Sequence, residues 1–271
     1  MRISQICSLK ESHVRHIRRH HGARSTAHRE FVIVSVYRCH TEPDVYTFEA
    51  DVVKAEDGRV LLSQSWLHPG GGGQPADRAT IEGAFGSGHV TGVETSGHLA
   101  WHLVDVPVPA HERVRVTIDR EHRHVVAQLH TDTHILNALV FREFDGALVT
   151  GAKISADGTA HMDFDLPDID NDRLRSLEAP MNEAIRAGLA VRAVYVTIDE
   201  ASRSKGLIRS LSVTPPPTPD GRYRVIEIED LDRQACGGTH LTVTSESLPI
   251  TITKIDNKGR RNRRVKIALV R

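Results

Sequence analysis

DREHRHVVAQLHTDTHILNALVFREFDG, residues 119–146, is the stretch on which the reading of this chain turns. Val126, Leu129, Thr133, Leu136 and Val140 recur at 3-4-3-4 spacing, which lays them on one stripe of an α-helix. The helix is expected to begin near Asp119, and Asp145-Gly146 to end it. His130 and His134 stand four apart, so both imidazoles project from one face. At about 100° per residue, Thr133 lies near that face, while Asp132 points away from it and is expected at solvent.

Downstream, GTAHMDFDL (158–166) reads as a strand. A second helix is expected from a cap at Asn171 or Asp172 through Leu174, Leu177, Met181 and Ile185, kinked at Pro180 and stopped by Gly188. Strands VRAVYVTI, RYRVIEIED, PITITKI and RRVKIALV follow, with the loop TPPPTPDG between the first two. Upstream, TFEADVV alternates, Asp57-Gly58 turns the chain, and RVLLSQSWL returns as a hairpin partner. Four consecutive glycines in HPGGGGQPAD and two more β-like pieces complete that half. The fold class is α+β: a small β-rich barrel over 41–119, then an α+β domain over 120–271. Residues 1–40 hold six of the 17 histidines, and up to residue 33 they lack core-forming periodicity. They read as a basic, His-rich, disordered extension.

Composition narrows the function classes. With 271 residues, 39% hydrophobic and 26% charged, the chain has a globular profile. Its longest apolar runs fall far short of the ~20 residues of a membrane span, and no secretory leader is recognisable. Cys7, Cys39 and Cys236 are odd in number and widely spaced, which suits a reducing cytoplasm better than a disulfide framework. Net charge is zero, yet residues 1–40 carry eight Lys/Arg against two acids and residues 254–271 carry eight against one. Basic ends on an acidic body suit a polyanion that touches only the ends, or two solvated termini.

The chemistry sits in two short motifs. LHTDTHILNAL gives His130 and His134; RQACGGTHL gives Cys236 and His240, again four apart. One thiolate and three imidazoles, delivered in pairs from two elements, form a donor set for Zn2+. A zinc protease is excluded, because its general-base Glu would stand directly after the first His and here that residue is Thr131. Four protein ligands suit a closed structural site, whereas a single thiolate leaves the metal an effective Lewis acid. Both roles remain open on spacing, with a slight lean to catalysis.

HTDTHILNALVFREF, ALVTGAKIS, AHMDFDL, DLDRQACGGTHLTVTSE and NKGRRNRRVKIAL, with HPGGGGQPAD upstream, resemble the free-standing alanyl-tRNA editing proteins, the AlaX family, in its longer form. The resemblance covers about 45–271 and extends to the editing domains of alanyl- and, more distantly, threonyl-tRNA synthetases. It implies an aminoacyl-tRNA hydrolase that removes misattached serine or glycine from tRNA(Ala), with His130, His134, Cys236 and His240 on zinc. It further implies that Gly71, Gly72, Gly73 and Gln74 approach the aminoacyl end. Lys258, Arg260, Arg261, Arg263 and Arg264 then become candidates for acceptor-stem phosphates. Thr133 is the candidate to read the substrate side chain, with Gln74 as the alternative. A tRNA-binding module with a purely structural zinc is the rival expectation. Synthetase activity is not expected, since the glycine run is no phosphate-binding P-loop. No obligate protein partner is expected.

Overall fold

The computed structural model describes residues 38–96, 99–167, 170–218 and 220–271. The expected extension lies outside the described residues as far as residue 37. Its last three residues belong to a short helix, α1 (Arg38–Thr41), in which Cys39 is buried.

Six strands then close a barrel: β1 (Thr47–Glu56), β2 (Arg59–Leu62), β3 (Ala79–Gly83), β4 (Gly86–Ser96), β5 (Leu99–Val104) and β6 (Arg113–Ile118). They run in the order β1-β2-β5-β4-β3-β6, with every neighbour antiparallel and β6 returning to β1. Period-two alternation is the cause. Phe48, Ala50 and Val52 point inward opposite Val116 and Val114, while Glu49, Asp51, Arg113 and Arg115 face water. Closure leaves this sheet no open edge.

Asp119 caps the next element, α2 (Arg120–Glu143), by accepting from the His122 amide. Asp145 and Gly146 follow in the left-handed conformation and end it. Eighteen of its 24 residues are buried, so α2 is a central helix rather than a surface one. Around it lie β7 (Val149–Ser155), β8 (Thr159–Asp165), α3 (Asn171–Arg175), α4 (Glu178–Ala187), β9 (Val191–Thr197), α5 (Ile198–Arg203), β10 (Arg222–Ile228), β11 (Asp232–Ala235), β12 (Ile250–Asn257) and β13 (Asn262–Leu269). They form a four-stranded sheet, β12-β13-β8-β7, and a three-stranded sheet, β11-β10-β9. Leu129, Leu136, Phe164, Met181, Ile226 and Val265 meet in one core. No helix among the described residues is long and apolar enough to cross a membrane.

Two local expectations are corrected. The single kinked helix is two helices: Asp170, rather than Asn171 or Asp172, caps α3, and a break at Ser176-Leu177 precedes α4. Pro180 is the third residue of α4, within the turn whose N–H groups have no helical acceptor, so it begins the helix instead of bending it. Gly188 does end α4, at φ 63°. Asp132 is fully buried rather than solvated. A 3-10 turn, Thr244–Glu246, and the residues after it cover that side of α2: Ser247 Oγ donates to Asp132 at 2.9 Å, and Gln128 accepts from the Leu248 amide at 3.0 Å. Burial pushes the Asp132 carboxyl up to about 8.

Candidate metal centre

His130 and His134 project from α2 toward the end of β11, where Cys236 follows Ala235 and a Gly237-Gly238 turn brings back His240. Their four donor atoms lie within 4.8 Å of one another. Cys236 Sγ stands 3.4 Å from His130 Nε2 and 3.3 Å from His240 Nε2. A tetrahedral zinc with Zn–S of about 2.3 Å and Zn–N of about 2.0 Å requires S···N edges of roughly 3.5 Å. The donor set therefore fits a metal ion of zinc's size and softness. Electrostatics agree with the geometry. Burial would raise the Cys236 thiol, yet the three surrounding imidazoles hold it well below the ordinary range. Burial would lower His134, but the Cys236 thiolate and the Asp232 carboxylate raise it to about 10.

Each imidazole is held from behind through Nδ1, leaving Nε2 for the centre. His130 Nδ1 meets Gln74 Oε1 at 2.6 Å, His134 Nδ1 meets Asp232 Oδ2 at 2.9 Å, and His240 Nδ1 meets Thr131 Oγ1 at 3.3 Å. Such partners fix the tautomer and orientation of a metal-bound imidazole. Gly238 packs so tightly on His130 that a Cβ there would lie 2.0 Å from its Cε1.

His130, His134 and Cys236 line a cavity of about 370 Å³ together with Gly71, Gly72, Gly73, Thr133, Asn137 and Thr150. The glycine run therefore lines the same cavity as three of the four donors. The Gly73 carbonyl accepts from the Ile154 amide of β7 at 2.8 Å, and a Cβ on Gly73 would fall 2.5 Å from the Ala152 carbonyl oxygen, so only glycine lets the loop lie so close. Gln74 is placed differently from expectation. It is buried and does not line the cavity, because its amide is engaged by His130, the Thr239 amide and the Thr239 hydroxyl. Thr133 does line the cavity, and its hydroxyl donates to the His130 carbonyl at 2.7 Å.

The basic stretch also divides. Lys258 and Arg260 are exposed, with no carboxylate in ion-pair range among the described residues. Arg261 is exposed and bonded to Asp165 at 2.9 Å. Arg264 is half-buried against Asp163 at 2.7 Å, and Arg263 is buried, facing the Gly259 and Asn262 carbonyls. Arg263 is thus corrected from a phosphate contact to a residue that packs inside its own hairpin. The hairpin reaches the cavity wall, since Asn262 Oδ1 accepts from the Thr150 hydroxyl at 2.7 Å.

Sequence reasoning missed Asp232, Gln234, His68 and His40. For the first two a signal existed: on a strand, residues 232, 234 and 236 share one face. His40 and His68 both bond the Gly237 carbonyl, at 2.8 and 2.7 Å, and no spacing rule links positions so distant.

The family described as "Threonyl and Alanyl tRNA synthetase second additional domain" matches residues 223–266, which hold Cys236 and His240. The chain is 33% identical over 223 residues to the alanyl-tRNA editing protein AlaX-M of Saccharolobus solfataricus, covering 80% of this chain and 92% of that protein. It is 31% identical over 242 residues to the AlaX-M protein of Methanosarcina acetivorans, covering 82% and 94%. Alanine–tRNA ligase of Korarchaeum cryptofilum is 32% identical over 215 residues, but the match spans only 24% of that enzyme.

Proposed function

The chain belongs to the AlaX-M family of alanyl-tRNA editing proteins, and from that premise we propose that it is a zinc-dependent hydrolase clearing misattached serine or glycine from tRNA(Ala). The need is physical. A synthetic pocket shaped for alanine cannot strongly reject glycine, or an isostere with one added hydroxyl, so a second, hydrolytic site is required. What carries this reading is that three of the four metal-competent side chains and the glycine run line one cavity.

His130, His134, Cys236 and His240 would hold zinc, which would supply a Lewis acid for ester hydrolysis. The chain's own residues do the rest. Gly71, Gly72 and Gly73 let the aminoacyl end come against backbone. Thr133 reads the side chain: its proton is committed to the His130 carbonyl, which leaves the oxygen as acceptor for a serine hydroxyl. Alanine would leave that buried acceptor unpaired, and so would glycine, so this contact selects serine, whereas clearing glycine requires a size filter against the alanine methyl. Lys258, Arg260 and Arg261 hold acceptor-stem phosphates beside the cavity wall.

Four protein ligands favour one rival, a tRNA-binding module whose zinc only braces the fold. Single-turnover deacylation of Ser-, Gly- and Ala-tRNA(Ala) by zinc-loaded protein separates the two. Cleavage of the serine ester with alanine spared, and selective loss of serine cleavage in Thr133→Val, is the expected result. Zinc-loaded protein that binds tRNA and cleaves none of the three esters would establish the rival.

A further inference from the structure

Asp232 is a fully buried carboxylate whose two oxygens do different work. Oδ2 meets His134 Nδ1 at 2.9 Å and accepts from Gln234 Nε2 at 2.7 Å. Oδ1 faces Arg209, whose Nη1 stands 2.9 Å away as an ion pair outside hydrogen-bond geometry, and neither atom has another hydrogen-bond partner among the described residues. Arg209 lies in the segment between α5 and β10, far in sequence from every metal-competent residue. It is anchored three ways: Nε donates to the Gly206 carbonyl at 2.8 Å, the guanidinium lies 4.3 Å over the Phe141 ring, and its carbonyl accepts from the Val149 amide at 2.8 Å. Arg209 and Asp232 also line a second cavity, of about 520 Å³, to which none of the four metal donors contributes.

We propose that Arg209 is a positioning residue for the metal ligand His134, acting through Asp232 from the outer cavity. This rests on the reading of the four side chains as a metal site. A carboxylate taken fully out of water is stable as an anion only when paired and hydrogen-bonded. His134 cannot be its sole partner, because a metal-bound imidazole is neutral. Arginine is permanently charged, so it balances the carboxylate at every working pH, and its anchors on Gly206 and Phe141 hold that charge at Oδ1. Held on Oδ1, the carboxylate keeps Oδ2 on His134 Nδ1, which keeps the Nε2 lone pair turned to the centre.

The test uses the full chain and two readouts: zinc affinity by chelator competition, and the ring 15N and Nδ1–H resonances of His134 in metal-free protein, assigned with His134→Gln. Arg209→Met keeps an unbranched apolar stem and removes the guanidinium, together with its stacking on Phe141. It is expected to weaken zinc about 10–100-fold, the usual cost of losing an outer-shell partner, and to shift or broaden the His134 Nδ1–H signal. Arg209→Lys should recover most of both. Should Arg209→Met fail to fold, Arg209→Gln, which removes the charge and keeps a shorter polar amide, takes its place. A wild type that binds no zinc while its His134 signal still answers to Arg209 would end the metal reading and leave the positioning role standing. An unchanged His134 signal, or unchanged zinc affinity where the wild type binds zinc, would overturn the proposal.

Discussion

Replacing Gly238 by alanine should empty the metal site without touching a ligand. A Cβ at 238 would sit 2.0 Å from His130 Cε1, 2.3 Å from its Nδ1 and 2.6 Å from Gln74 Oε1. Ordinary contact begins near 3.4 Å, so the imidazole must retreat by roughly 1.4 Å. Zinc ligand distances tolerate only about 0.2 Å. The ring cannot slide within its plane to escape, because Gln74 holds its Nδ1 at 2.6 Å and is itself bonded to Thr239. Backbone strain is not involved, since Gly238 is absent from the left-handed glycines of the described chain. Its neighbour supplies the control: a Cβ on Gly237 meets nothing within 4 Å, and Gly237 is not left-handed either. Zinc per chain by elemental analysis, and affinity by chelator competition, should show Gly237→Ala loaded as wild type. Gly238→Ala should lose more than the ~100-fold typical of a missing outer-shell partner, while retaining the wild-type circular dichroism spectrum. Full loading of Gly238→Ala with wild-type affinity would refute the claim that His130 is a fixed ligand packed on this turn.

Asp77→Ala should destabilise the protein by about 3–5 kcal/mol in urea melts, because it strands the buried Arg123 guanidinium that Asp77 pairs; Asp77→Asn should recover part of this through its remaining acceptor for the His68 amide. His102 is buried against Ser65 and burial lowers it to about 4, below its unfolded value of about 6.5. Its contribution is thus complete above pH 6.5 and is lost as pH falls toward 4, on the order of 3 kcal/mol; His102→Gln should flatten that part of the stability–pH curve measured by denaturant midpoint. Lys258→Glu with Arg260→Glu should weaken every tRNA alike and reduce the slope of log K against log salt by up to about 0.9 per lost phosphate contact. An unchanged slope in filter binding would remove the hairpin tip from the interface.

The barrel, the long helix and the two metal-competent pairs were legible because each rests on local periodicity. Alternation in β1 and β6, the 3-4 stripe of α2 and the two four-residue spacings need no knowledge of what packs against them. Failures came where a covering element decides the outcome. Asp132 lies off the apolar stripe, and a stripe implies a wet opposite face; here the turn at Thr244–Glu246 covers that face, so an acid is buried on a helix with no outside. Arg263 belongs to a run of basic residues, but strand alternation turns every second side chain of β13 inward, and 263 is one of these. Gln74 was grouped with its neighbouring glycines by sequence, whereas its amide is consumed by partners more than fifty residues away.

Those partners explain why the barrel accompanies the metal-competent half of the chain. Segment 66–77 leaves the barrel and is laid against the helix and the Cys236 turn, and several of its polar groups are committed to the metal-competent half. The Trp66 carbonyl and the Asp77 carboxylate both bond Arg123, the Ala76 carbonyl meets His122, and the Gly73 carbonyl is taken by β7. Between these anchors His68 reaches the Gly237 carbonyl and Gln74 reaches His130. Without the barrel, His130 would lose its Nδ1 partner and one of two donors would leave the Gly237 carbonyl, at the turn that presents Cys236 and His240. One of the three Nδ1 partners, and one of the two histidines on the Gly237 carbonyl, are therefore supplied by a segment that a sequence boundary would assign to the other domain. Excising residues 120–271 alone should accordingly give a chain that retains all four donors yet binds metal more weakly than the whole, and Gln74→Ala in the intact chain should reproduce part of that loss.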